Sequence, residues 1–188
     1  LYLNVTNRCT NACSFCIRNG HDSVGDSDVL WLDREPSVDE LWQALTHAVL
    51  PETEEIVFCG YGEPLMRLDA VLELCRRIRN HYNLPIRINT NGHADLIAGF
   101  STAPLFHGLV DRISISLNAP NATRYDEICN PVYSDAFAAV VSFAAACKKY
   151  VPDVCLSVVD QPLTLEEIKD CRALGDSIGV PVRVRAFE

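Results

Sequence analysis

The sequence predicts an α/β fold: an open, partial (β/α)6 barrel of parallel strands, TIM-like in architecture. Three observations carry that expectation. First, strand-like and helical stretches alternate along the whole chain, and such alternation implies parallel strands joined by right-handed crossovers. Second, the strands are half polar. Ile86, Ile88 and Thr90 alternate with Arg87, Asn89 and Asn91, and Val182, Val184 and Ala186 alternate with Arg183, Arg185 and Phe187. An open doubly wound sheet, covered by helices on both faces, would be nearly all apolar. One face should therefore pack on helices while the other lines a wet, concave lumen, with a site at the C-terminal strand ends. Third, no linker or low-complexity tract interrupts the 188 residues, which read as one domain, 1–188.

The elements follow in order. Residues 1–6, LYLNVT, read as the first strand. Residues 37–50 read as a helix, with Ser37 and Glu40 at capping-box spacing and Leu41, Leu45, Ala48 and Val49 on one face. Residues 55–60 form a strand and residues 69–82 a helix with Leu72, Cys75 and Ile78 inward. Residues 85–92 form the third strand, closed by a turn signal, and a weaker helical stretch covers 93–100. The fourth strand is 111–118, where Ile113, Ile115 and Leu117 oppose Arg112, Ser114, Ser116 and Asn118. A short helix at 122–129 leads to a longer one at 135–150, then to the fifth strand at 154–160. A helix at 164–179 carries a second capping box, Thr164 and Glu167, before the sixth strand at 180–188. Residues 19–36, rich in Asp, Gly and Ser, form the longest structureless stretch, a candidate lid. The chain begins at Leu1 already inside a strand, so a few residues are expected in front of it.

Composition narrows the function classes. Hydrophobic residues make up 48% of the chain, as in a globular protein. The net charge is −9, from 25 acidic and 16 basic side chains, a field that disfavours broad docking on nucleic acid. No run of eighteen apolar residues and no N-terminal signal pattern appears, so the expected location is cytoplasmic, off the membrane. Nine cysteines, an odd number, argue against a disulfide framework. Cys59, Cys75, Cys129, Cys147, Cys155 and Cys171 stand alone and read as small buried hydrophobes in a reducing compartment.

Cys9, Cys13 and Cys16 form the one cluster, directly after the first strand and hence at the C-terminal rim. Thiolates at this spacing bind zinc or an iron–sulfur cluster. A structural zinc site would want a fourth ligand, and His21 stands five residues past Cys16. A cubane held by three cysteines keeps one iron open for a ligand that arrives with the chemistry.

The C-x3-C-x2-C pattern, with aromatic Phe15 before its last cysteine, resembles the signature of the radical S-adenosylmethionine (radical SAM) superfamily. FCGYGEPLM after the second strand resembles the Gly-x-Gly-Glu-Pro element of that family, and NTNG and SISLNA fall at the ends of strands three and four in the family's order. The opening LYLNVTNRCTNACSFCIRNG is most similar to the small TatD-associated radical SAM proteins.

The resemblance implies a [4Fe-4S] cluster held by Cys9, Cys13 and Cys16, with SAM chelating the fourth iron. It implies that Gly60, Tyr61, Gly62, Glu63 and Pro64 lie along the methionine part, with Glu63 accepting from the ammonium. Asn91, Ser116 and Asn118 become candidates for the carboxylate and ribose, and Phe15 and Val159 for the adenine. An electron donated by flavodoxin or ferredoxin would cleave SAM to a 5′-deoxyadenosyl radical that takes hydrogen from a substrate in the lumen.

The arginines suggest the substrate. Arg183 and Arg185 share a face, Arg87 sits on the polar face of strand three, and Arg18 follows the cysteines. Arginine suits bidentate capture of carboxylate or phosphate, so the expected substrate is a small anion. His21, His47, His81, His93 and His107 form no catalytic pairing in the sequence. Two other classes stand beside this one: a radical SAM modifier of a protein or RNA partner, and a non-catalytic metal-binding or electron-transfer module.

Overall fold

A computed structural model of the chain describes residues 1–20 and 30–186. Six strands form one parallel sheet in chain order. They are β1 (Tyr2–Leu3), β2 (Ile56–Phe58), β3 (Ile86–Thr90), β4 (Arg112–Ser116), β5 (Asp153–Val159) and β6 (Val182–Arg185). Doubly wound sheets reverse their strand order at a switch point. This sheet never reverses, so crossovers of one hand lay all helices on one face and the sheet curls around the other. The expected partial barrel is what the chain forms.

The helices are α1 (Val38–Ala48), α2 (Leu68–His81), α3 (Ala94–Ala98), α4 (Ala122–Cys129), α5 (Ala136–Cys147) and α6 (Leu165–Ile178). Both capping boxes form: Ser37 with Glu40 starts α1, and Thr164 with Glu167 starts α6. Each satisfies amide donors that a helix start leaves without partners. Among the described residues, no helix is long and apolar enough to cross a membrane. The His21 alternative and residues 21–29 of the 19–36 loop lie outside the described residues, as does Phe187.

The strand faces divide as the alternation requires. Ile56, Phe58, Ile86, Ile88, Ile113, Ile115 and Leu156 are buried under the helices, against Leu45, Cys75, Ile78, Phe143 and Cys147. The register lays the polar face in layers: Val57, Arg87, Arg112 and Asp153 at the start of the strands, then Asn89, Ser114 and Cys155, then Ser116, Ser157 and Arg183, and last Val159 and Arg185. Four of the isolated cysteines, Cys75, Cys129, Cys147 and Cys171, are buried as expected. Cys59 and Cys155 are not core residues. Both are half-buried on the polar side, where Cys59 shares a side-chain hydrogen bond with Asn89.

Candidate active site at the C-terminal rim

The loop after β1 carries Cys9, Cys13 and Cys16, all half-buried and all free thiols. Two neighbouring elements hold it. The Ala12 N–H donates to the Cys129 carbonyl (3.0 Å) and the Ser14 N–H to the Ile128 carbonyl (2.9 Å), which docks the loop on the end of α4. The Glu63 N–H donates to the Arg8 carbonyl at 2.8 Å, which docks it on the GYGEP turn. That turn must be glycine. A Cβ on Gly60 would stand 2.3 Å from Asn4 Oδ1, and one on Gly62 would stand 2.2 Å from the Thr6 carbonyl oxygen. Gly60 packs on the Asn4 side chain, and at Gly62 the approach is to backbone itself, where no side chain fits.

Burial and neighbouring groups keep the Cys9 and Cys13 thiols protonated. Burial pushes the Cys9 thiol up to about 11. Cys13 is raised by its hydrogen bond to Cys129 and by burial. Among the described residues, no three His, Cys, Asp or Glu side chains converge as a ready metal site. Cys13 is turned toward Cys129, so binding an iron requires it to rotate away and lose its proton. The donor set otherwise fits an iron–sulfur cluster, with three thiols on one rim loop and little competing oxygen chemistry around them.

Glu63 is 3% exposed and accepts three hydrogen bonds. Its Oε1 accepts from the Leu65 N–H (2.9 Å) and the Thr90 hydroxyl (2.8 Å), and its Oε2 accepts from the Asn91 N–H (2.6 Å). Burial pushes its carboxyl up to about 7 against these bonds. The side chain thus ties the turn to the end of β3 through three of the carboxylate's acceptor positions. Asn91 is committed in the same way. Its Nδ2 donates to Thr10 Oγ1 (2.8 Å) and reaches Cys9 Sγ (3.8 Å), and its Oδ1 accepts from the His93 N–H (3.0 Å).

Other amides are open. The Oδ1 atoms of Asn89 and Asn118 are buried without a partner. Asn118, at the end of β4, is held at φ +57°. These acceptors, with half-buried Ser116 beside them in sequence, suit hydroxyl or ammonium donors of a bound molecule. Phe15, Ser14, Gln161, Pro162 and Leu163 line an open cleft of about 450 Å3, just past Val159.

The arginines separate. Arg87 stands in the first strand layer and pairs with Glu55 at 3.0 Å, so it belongs to the barrel floor rather than to an anion clamp. Arg18 donates to the carbonyls of Asn7, Tyr61 and Asn11 at 3.2–3.4 Å, bracing the rim loops. Arg183 and Arg185 fall on the lumen face as expected, and the Arg185 charge is felt by the Cys59 thiol just past β2. Cys129 and the buried residues His93 and Tyr125 were missed in the sequence, although His93 directly follows NTNG.

A model of the radical SAM superfamily matches residues 3–174. The chain belongs to the radical SAM superfamily. This is a superfamily of enzymes whose cofactors are a [4Fe-4S] cluster and SAM. The chain is 32% identical over 128 residues to a GTP 3′,8-cyclase of Pseudomonas putida, covering 68% of this chain and 35% of that protein. It is also 28% identical over 128 residues to a probable GTP 3′,8-cyclase of Methanocaldococcus jannaschii, covering 68% and 39%. The chain thus spans just over a third of the length of the curated relatives it matches. Its fold is that of solved radical SAM structures. Streptococcus suis SuiB bound to precursor peptide SuiA superposes with a TM-score of 0.69 at 14% identity, covering 100% of this chain and 39% of that one. Native anSMEcpe with bound AdoMet superposes with 0.67 at 17%, covering 100% and 51%.

Proposed function

We propose that residues 1–188 form one radical SAM core that takes hydrogen from a small anionic substrate. The observation that carries this reading is the convergence of three rim loops. The cysteine loop, the GYGEP turn and the end of β3 are joined through Glu63 and Asn91 into one surface. In this reading Cys9, Cys13 and Cys16 hold three irons. The cluster and SAM together supply a reductively generated carbon radical.

The chain's own residues do the rest. The backbone of residues 60–64 flanks the methionine part, and Glu63 fixes the shape of that turn. Asn118 Oδ1, an open acceptor, faces the ribose hydroxyls, and the Ser116 hydroxyl donates to the carboxylate. Phe15 and Val159 bound the adenine side, where the Phe15 cleft lies. Arg185, level with Val159 at the rim, holds the anion, and Arg183 supports it one layer below. Relatives named for a GTP cyclisation favour an anionic small molecule over a peptide. The electron donor is a flavodoxin- or ferredoxin-type protein. The closer kinship to TatD-associated members rests on the opening stretch of sequence alone.

The test is anaerobic reconstitution with iron and sulfide, then dithionite and SAM. The expected product is 5′-deoxyadenosine, and its absence at full cluster content would favour the non-catalytic reading. Deuterium transfer from labelled cell metabolites into 5′-deoxyadenosine would then name the substrate. Transfer only from a protein or RNA fraction would overturn the small-molecule assignment.

A further inference from the structure

Residues 4–8, which lead from β1 into Cys9, carry two other segments on their flanks. One is the GYGEP turn. Gly62 approaches the Thr6 and Arg8 carbonyls, Gly60 approaches the Asn4 side chain, and the Glu63 N–H donates to the Arg8 carbonyl at 2.8 Å. The other is residues 30–35. Asn4 Nδ2 donates to the Leu30 carbonyl at 2.7 Å. The Asn7 side chain takes both backbone groups of Leu32, donating to its carbonyl at 2.8 Å and accepting from its N–H at 3.2 Å. Glu35 accepts from the Thr6 hydroxyl at 2.5 Å and from Arg8 Nε at 2.6 Å. These bonds lay 30–35 along 4–8 as a strap.

Trp31 stands between the anchored carbonyls of Leu30 and Leu32, so its backbone is tied down on both sides. Its ring meets the Tyr61 ring edge-on, with centroids 4.9 Å apart. Trp31 is 38% exposed and Tyr61 3%, so the indole is the outer layer over the phenol. Tyr61 needs such a support. It lies between Gly60 and Gly62, and glycine leaves the backbone on either side of it free to rotate. Glu63 fixes the far half of the turn through the end of β3, and the aromatic contact acts on the near half.

We propose that Trp31 is a positioning residue for SAM. Mounted on the strap, it holds Tyr61, and with it the Gly60–Gly62 half of the turn, in the shape that receives the ligand. Strap, turn and cysteine loop share residues 4–8, so one short spine sets the turn and the three cysteines relative to each other. The inference rests on the proposed SAM site.

The chain has two tryptophans, Trp31 and, on α1 beside His81 and Tyr82, Trp42. In reconstituted Trp42→Phe, Trp31 is the one remaining tryptophan. Adding SAM is expected to change its emission with the dissociation constant that equilibrium dialysis gives. Trp31→Ala is expected to bind SAM roughly 2- to 12-fold more weakly at unchanged iron and sulfide content, the range an aromatic pair supports, and Trp31→Phe to recover most of that loss. Equal SAM affinity in wild type and Trp31→Ala overturns the inference, and so does a Trp31→Phe variant as weak as Trp31→Ala. If Trp31→Ala does not fold, the sole-tryptophan emission decides alone, since no response at saturating SAM also overturns it. A wild-type protein that loads its cluster and binds no SAM would sink the SAM-site reading, and this inference with it.

Discussion

The main-chain N–H of Asn91 donates to Glu63 Oε2 at 2.6 Å, across 28 residues of sequence. The bond joins two motifs that the sequence presents separately, GYGEP and NTNG. Through Asn91 Nδ2 it continues to Thr10, and so to the cysteine loop. One buried carboxylate thus sets the relative height of three loops.

Glu63→Ala should therefore act first on stability. The substitution leaves the Leu65 and Asn91 N–H groups and the Thr90 hydroxyl without their acceptor. Buried donors left unpaired cost about 1–3 kcal/mol each, so a total loss on the order of 3 kcal/mol or more is expected. Urea unfolding measures it. An unchanged midpoint together with weakened SAM binding would restore the carboxylate to a direct ligand role.

Two buried groups give opposite pH dependences. Glu63 is raised from 4.5 to about 7, so its contribution is fully present below pH 4.5 and is lost as pH rises through 7. His93 is lowered from 6.5 to about 4, so its contribution is present above pH 6.5 and is lost as pH falls through 4. Each linkage is worth about 3 kcal/mol in full, and between pH 4.5 and 6.5 they offset each other. Relative to wild type, Glu63→Gln should therefore gain stability with rising pH across this range, and His93→Gln should lose it. Unfolding midpoints across this range that run parallel for wild type and both variants would contradict the assignment.

Cys13 and Cys129 share a hydrogen bond but should differ in function. Cys13→Ala is expected to abolish a stable cubane, because three thiolates are the minimum set here. Cys129→Ala is expected to keep full iron and sulfide content, with Cys13 freed to turn outward. Normal iron content in Cys13→Ala, or loss of the cluster only in Cys129→Ala, would exchange the two roles.

Arg185→Gln should leave the fold and substrate-independent SAM cleavage intact while lowering substrate-dependent turnover. A charge-assisted contact contributes about 1.5–3 kcal/mol, or roughly 10- to 150-fold in kcat/KM, and the exposure of Arg185 places the expected loss at the lower end. Isolated loss of SAM binding would place the guanidinium on the cofactor carboxylate and remove the case for an anionic substrate.

Much of the fold was legible because its signals are local. Both capping boxes sit within four residues, and the strand faces follow from alternation alone. Height along a strand was less legible. The alternation of Arg87 gives its face, but only the register shows it on the first layer beside Glu55. Glu63 was visible as a motif residue, but its partners Thr90 and Asn91 lie on another strand end and leave no local mark in the sequence. The Thr10–His93 and Asn11–Tyr125 contacts span 83 and 114 residues and follow no period, so a single sequence carries no trace of them. Their one local signal is adjacency: Thr10 and Asn11 stand inside the cysteine motif, and His93 follows NTNG.

Sheet order equal to chain order has a consequence for assembly. Each strand docks on the one made just before it, so the barrel can grow from its first strand as the chain lengthens. The cysteine loop breaks that rule. It follows β1 directly, yet its anchors at Ile128, Cys129 and Tyr125 arrive more than a hundred residues later. Until α4 is in place, the three thiols ride on a loop held from one side only. The earliest part of the site to be made is the last to be fixed, and a nascent chain interrupted before α4 would carry its cysteines without the wall that orients them.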